Sequence, residues 1–261
     1  MTGILYATLI IGGVGLVLAV ILSLASKFMA VPVDEKVEQV RACLPGANCG
    51  ACGYSGCDGY AAAVAAGEAA PNLCTPGGAD TAKQLSDLLG AEITVEKKFA
   101  FIKCNHGPDK AAREFSYNGA ASCAAANLMY KGPLSCKFGC LGLGDCVNVC
   151  TYGALKIENG QVTVDKALCS GCGKCAAVCP KGIIEILPEK AKFAVACSNT
   201  QKGAVARKVC TAACIGCGKC VKLCPADAIT VENNLAHIDA EKCIGCGECA
   251  AGCPTKCIIN A

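Results

Sequence analysis

Three stretches of this chain repeat one cysteine spacing. Cys169, Cys172, Cys175 and Cys179 follow C-x2-C-x2-C-x3-C and meet Pro180; Cys214, Cys217, Cys220 and Cys224 do the same before Pro225, and Cys243, Cys246, Cys249 and Cys253 before Pro254. Three thiolates so close together grip one iron–sulfur cubane, while the fourth reaches across to a neighbouring cluster. One such run arises by chance; three in 261 residues do not. Cysteine totals 26 residues while Trp is absent and aromatics are only 5%, so inorganic clusters rather than large apolar side chains organise most of this protein.

A shift of 74 residues superposes two parts of this region without a gap. Cys140 falls on Cys214, Cys146 on Cys220, Cys150 on Cys224, and the run from Cys169 on the run from Cys243; Gly142, Val147 and Asp165 fall on Gly216, Val221 and Asp239. The chain therefore holds two tandem two-cluster units. Residues 154–157 and 162–164 flank Asn159-Gly160, a hairpin signal, and 228–231 and 236–238 flank Asn233-Asn234 in the same way. The register fails at one ligand, where Leu143 replaces the counterpart of Cys217. Cys136, spaced C-x3-C from Cys140, is expected to substitute; the alternatives are a three-iron cluster or none. Exchange of fourth ligands then groups Cys136, Cys140, Cys146 and Cys179, and separately Cys150, Cys169, Cys172 and Cys175. The second unit groups Cys214, Cys217, Cys220 and Cys253, and Cys224, Cys243, Cys246 and Cys249.

Nearer the amino terminus, Cys49-x2-Cys52-x4-Cys57 lies on a glycine-rich loop, with Cys74 following an Ala-rich helix. Glycine lets the backbone turn tightly around one face of a cubane, and Cys74 completes the fourth corner. A zinc ribbon would instead show two separated C-x2-C pairs. These groups make five [4Fe-4S] clusters. Cys104, Cys123, Cys197 and Cys210 remain, and Cys123 and Cys197 are again 74 apart, as are Cys136 and Cys210. That set is left open between a sixth cluster and buried thiols. Cys43 and Cys257 are expected to be plain packing thiols, Cys257 aligning with apolar Ile183. Disulfides fit neither the triplet spacing nor the Cys-Pro ends.

From Met1 to Ser26 there is no charge, and Ile4 to Leu24 is almost wholly apolar. About 20 such residues span a bilayer, so a transmembrane helix is expected; a cleaved signal would want a basic start. The expected domains are a membrane anchor over 1–30, a four-cysteine cluster domain over 31–95, a linker over 96–135, and cluster units over 136–190 and 191–261. The fold class is α+β. Formal charge is +3, and five oxidised cubanes at about −2 each would bring the assembled protein near about −7. With no basic block, nucleic acid is not an expected partner. No G-x-G-x-x-G or P-loop pattern is found, so no nicotinamide or nucleotide site is expected. His106 and His237 are isolated, and no catalytic triad or carboxylate pair can be drawn.

An apolar anchor, then Cys49-x2-Cys52-x4-Cys57 with Cys74, then runs of the bacterial ferredoxin type resembles RnfB, the B component of the Rnf complexes, over essentially the whole chain. The tail with Cys136-Lys-Phe-Gly-Cys140 is similar to the longer RnfB proteins of anaerobic bacteria. The resemblance implies two ferredoxin-like 2[4Fe-4S] units in a complex of the cytoplasmic membrane. That complex oxidises reduced ferredoxin, reduces NAD⁺ and translocates Na⁺ or H⁺. It further implies a single-pass protein with its clusters on the cytoplasmic side. Such a component accepts electrons from soluble ferredoxin and passes them to flavin-bearing Rnf partners, with no flavin or NAD site of its own. The alternatives are a membrane-tethered polyferredoxin serving another redox enzyme or a redox-sensor-reducing system without ion pumping, and a zinc or iron scaffold that moves no electrons.

Overall fold

The computed structural model describes residues 2–28, 34–90, 96–105 and 110–261. Residues 29–33 and 91–95, which hold the domain boundaries expected at 30 and 95, lie outside the described residues, as does His106. The chain opens with helix α1 (Thr2–Phe28). Its Leu9, Ile11, Leu16 and Leu22 are each more than half exposed. Among the described residues no helix is long and apolar enough to cross a membrane. The helix expected at this end is present, whereas the membrane span read into it is not displayed by the described residues.

Three short helices build the next unit. Asp34 caps α2 (Glu35–Cys43) by accepting the Lys36 amide at 2.9 Å, which satisfies a donor the helix cannot. The small residues of α3 (Cys57–Ala65) let it lie close against α2, and Tyr60, Val40 and Leu85 of α4 (Gly78–Leu89) fill the core between them. Thr81 donates to the Cys43 carbonyl at 3.1 Å and ties α4 to α2.

Strand β1 (Lys98–Ile102) pairs antiparallel with β4 (Ile184–Pro188), and the hairpin β2 (Leu155–Glu158) and β3 (Gln161–Val164) packs beside them. The second unit repeats the plan with β5 (Phe193–Val195) paired to β8 (Ile258–Asn260) and the hairpin β6 (Ile229–Glu232) and β7 (Leu235–Ile238). Asn159 and Gly160, and Asn233 and Asn234, all take positive φ, the twist a two-residue hairpin needs. One-turn helices α6 (Asp145–Asn148), α7 (Lys174–Val178), α9 (Lys219–Leu223) and α10 (Glu248–Ala251) each start behind a left-handed glycine. That glycine swings the cysteine loop into the helix. Two further helices, α5 (Cys123–Leu128) and α8 (Gly203–Val209), precede the units' cysteine loops.

The stretch expected as a linker thus supplies β1 and α5 to the first unit. β4 and β8 obey the 74-residue shift, but their partners do not. The Lys103 amide donates to the Ile183 carbonyl at 2.7 Å, and the Ala196 amide to the Cys257 carbonyl at 2.8 Å. Residues 103 and 196 therefore correspond at a shift of 93, because extra chain follows β1. Cysteines are part of both cores: Cys140, Cys146, Cys169 and Cys175 pack with Phe99, Leu155 and Ile183, and Cys214, Cys220 and Cys249 with Val195, Ile229 and Ile258.

Candidate metal centres

The cysteine loops bring thiols together in sets of four. At the amino-terminal set, burial raises the pKa of Cys74, and the nearby Cys57, Cys49 and Cys52 add to the rise. The Cys57 amide donates to Asn48 Oδ1 at 2.8 Å, closing the loop that carries Cys49 and Cys52. In the first two-cluster unit, Cys150, Cys169, Cys172 and Cys175 line one cavity. Burial pushes the Cys175 thiol up to about 11, with Cys169 and Cys172 contributing. The Ala100 amide on β1 donates to Cys169 Sγ at 3.3 Å, so the strand sits over this set.

In the second unit, Cys214, Cys217, Cys220 and Cys253 line a cavity, joined there by Cys257. Burial pushes Cys220 up to about 11. Cys249 is raised first by burial and then by Cys243, Cys246 and Cys224. The Ala228 amide donates to Cys224 Sγ at 3.4 Å. Cys257, expected as packing, lies with Sγ 3.6 Å from Cys253 Sγ.

Two cysteines stand elsewhere than the spacing suggests. Cys123, not Cys136, shares the cavity of Cys140, Cys146 and Cys179. Burial pushes Cys146 up to about 12, and Cys140, Cys123 and Cys179 add to it. Cys136 instead lines a second cavity with Cys104, Cys197 and Cys210. The two thiols have exchanged the places expected for them. The cause is Asp145, whose carboxylate accepts the Cys123 amide at 2.9 Å, the Ala124 amide at 3.0 Å and the Ser122 hydroxyl at 3.0 Å. Burial works against the Asp145 charge, yet these donors hold its pKa below the usual carboxylate range. They fasten the start of α5 beside Cys146. The available signal was Ser122, an N-cap residue directly before a cysteine.

The donor sets suit iron–sulfur cubanes. All 26 cysteines are free thiols. Among the described residues no three His, Cys, Asp or Glu side chains close around a single metal ion; a cubane is broader, with one thiolate on each iron. Thiols that raise one another's pKa need a positive partner to ionise together, which an iron core supplies. The amino-terminal unit also meets the first two-cluster unit: Cys49, Gly50 and Thr75 face Lys98, Cys172 and Lys174 across one cavity. His237 sits on β7 opposite Thr230.

Comparison with known families agrees with this layout. Residues 44–76 match the FeS model of an Fe-S cluster. Residues 135–183, 168–229 and 206–254 match models of the 4Fe-4S dicluster domain. The chain is 44% identical over 235 residues to the B component of the Na(+)-translocating ferredoxin:NAD(+) oxidoreductase complex of Acetobacterium woodii, covering 89% of this chain and 71% of that one. It is 45% identical over 229 residues to the B component of the proton-translocating ferredoxin:NAD(+) oxidoreductase complex of Clostridium ljungdahlii, covering 87% and 81%. To the B component of the ion-translocating oxidoreductase complex of Methanosarcina acetivorans it is 41% identical over 235 residues, covering 89% of each. With iron–sulfur domains in this order and identity of this extent, the chain belongs to the RnfB family, the B components of the ion-translocating ferredoxin:NAD⁺ oxidoreductase, or Rnf, complexes.

Proposed function

We propose that this electron-transfer subunit takes electrons from reduced ferredoxin and carries them through five [4Fe-4S] centres toward the other Rnf subunits. The centres are held by Cys49, Cys52, Cys57 and Cys74; by Cys150, Cys169, Cys172 and Cys175; by Cys123, Cys140, Cys146 and Cys179; by Cys214, Cys217, Cys220 and Cys253; and by Cys224, Cys243, Cys246 and Cys249. The carrying observation is that sets of four thiols line separate cavities in both two-cluster units. Bound cubanes supply one-electron oxidation and reduction without proton chemistry. The protein's part is to hold the thiolates, donate amides to their sulfurs and keep water away.

Cys217 and Cys246 are the exposed ligands, so ferredoxin meets the second unit there. At the other end, the Cys49 loop faces Cys172 and Lys174 across a cavity, which leads electrons into the amino-terminal unit. Helix α1 anchors that unit at the membrane, where an ion-translocating partner has to be. This chain holds no complete active site by itself; NAD⁺ reduction falls to flavin-bearing partners.

The test is anaerobic isolation of whatever complex contains the chain, followed by reduction with ferredoxin under EPR. Rapid reduction of its clusters and co-purifying flavin subunits are expected. A partner set without flavin or nicotinamide sites would point to a polyferredoxin serving another enzyme.

A further inference from the structure

Cys104, Cys136, Cys197 and Cys210 line one cavity at the joint between the two-cluster units. No one segment supplies them: Cys104 follows β1, Cys197 follows β5, and Cys136 and Cys210 precede the two cysteine loops. The four are two equivalent pairs. Cys136 and Cys210 correspond at the 74-residue shift, and Cys104 and Cys197 at the shift of 93 shown by the backbone bonds of Lys103 and Ala196. Each unit thus turns the same two thiols toward the other.

The sulfurs are also prepared as acceptors. Cys197 Sγ accepts the Asn199 amide at 3.4 Å and the Cys214 amide at 3.3 Å, and Cys104 Sγ accepts the Cys140 amide at 3.4 Å. Asn199, only 1% exposed, turns its side-chain amide toward Cys136 Sγ at 4.0 Å. Amides that point at sulfur favour the ligating thiolate over the thiol. The units are bolted together around this spot: the Asn105 amide donates to the Ala196 carbonyl at 2.9 Å, Ser135 to the Val209 carbonyl at 2.9 Å and Ser198 to the Phe138 carbonyl at 3.0 Å.

We infer that these four cysteines hold a sixth [4Fe-4S] cluster, seated on the pseudo-two-fold joint and bridging the two units. The inference rests on the cluster reading of the other five sets. Each thiol gives up its proton as it binds one iron of the cubane, whose iron and sulfide are the ligand class the site takes. A single ion is disfavoured because no three of these side chains close around one. The seat also connects the relay. Cys140 and Cys214 belong to the centres on either side, and their own amides donate to Cys104 and Cys197. One hydrogen bond therefore links the joint to a ligand of each flanking centre.

The test is native mass spectrometry and iron and labile-sulfide analysis of the full-length chain, isolated anaerobically in detergent. The wild type should carry about 24 iron, and Cys197→Ser or Cys210→Ser about 20, while Cys43→Ser keeps all, counting four iron per cluster. In the serine variants, EPR should also show slower electron passage from the second unit to the first. A wild-type mass of five clusters, or five plus one zinc, overturns the inference while leaving the five-centre reading intact. Absence of iron and sulfide from the chain would instead sink that reading. Should the serine variants fail to fold, the wild-type mass alone still decides between six and five.

Discussion

Asp145 holds Cys123 at the cavity that Cys140, Cys146 and Cys179 also line, the altered set of the first unit. Its three hydrogen bonds to Ser122, Cys123 and Ala124 involve a charged acceptor, so Asp145→Ala should cost about 2–4 kcal/mol. The expected outcome is loss of about four iron, matched by Cys123→Ser; Asp145→Asn, which keeps an acceptor oxygen, should retain part of the cluster. Iron analysis of the three variants checks this. Cys257 acts on a neighbouring centre. It lies 3.6 Å from Cys253 and lines one cavity with Cys253 and Cys214, both proposed ligands. A sulfur bound to iron carries no proton, so Cys257 is the donor toward Cys253. The equivalent position in the first unit's cavity is Ile183. A hydrogen bond to a ligating sulfur stabilises the reduced cluster. Cys257→Ile should therefore lower one midpoint potential, and Ile183→Cys should raise another, in an EPR-monitored titration. At this scale, nearly all of the proposed ligands are legible in the spacing. Cys123 is not, because a carboxylate 22 residues away in sequence brings it in. The contact of Cys257 is hidden too, because its alignment with an isoleucine suggests packing alone.

Beyond α1 the elements are short, and several touch a ligand loop directly. The hairpin turns back directly onto these loops: a Cβ on Gly142 would come 2.5 Å from the Gly160 carbonyl oxygen, and one on Gly216 2.8 Å from that of Asn234. Both glycines also have positive φ. Gly142→Ala and Gly216→Ala should each destabilise the chain by about 2–3 kcal/mol, read as faster cluster loss on heating. In the amino-terminal unit, Tyr60 on α3 donates to the Ala70 carbonyl at 2.8 Å and accepts the Leu73 amide at 3.2 Å, bracing the segment that delivers Cys74. Burial raises the Tyr60 pKa from 10.0 to about 12. Its stabilising effect is therefore complete below pH 10 and declines as pH rises toward the folded value. Tyr60→Phe should lose about 1–2 kcal/mol at neutral pH and lack that alkaline decline, as followed by circular dichroism. The hairpins are legible because Asn-Gly and Asn-Asn sit between alternating strands. β1 is not, since its partner β4 lies more than eighty residues on and no local pattern announces the pairing.

Across the molecule the thiol sets sit within small cores of the two-cluster units that are rich in cysteine. The order of the chain's parts is plain from cysteine spacing. The joint is legible in part: Cys104, Cys197 and Cys210 stand out as one set, but a constant register of 74 pairs Cys197 with Cys123, whereas extra chain after β1 makes Cys104 its counterpart and Cys136 the fourth member. At the other end, the proposed anchoring by α1 has its own check. Removal of residues 1–33 should leave every cluster in place and release the chain from lipid vesicles in a flotation assay; vesicle binding that survives the removal would contradict it. The central claim, that these thiols hold cubane relays, is tested most directly by acid-labile sulfide. Anaerobically isolated protein is predicted to contain iron and sulfide in equal amounts, bleaching together on oxidation. Iron or zinc without matching sulfide would contradict it.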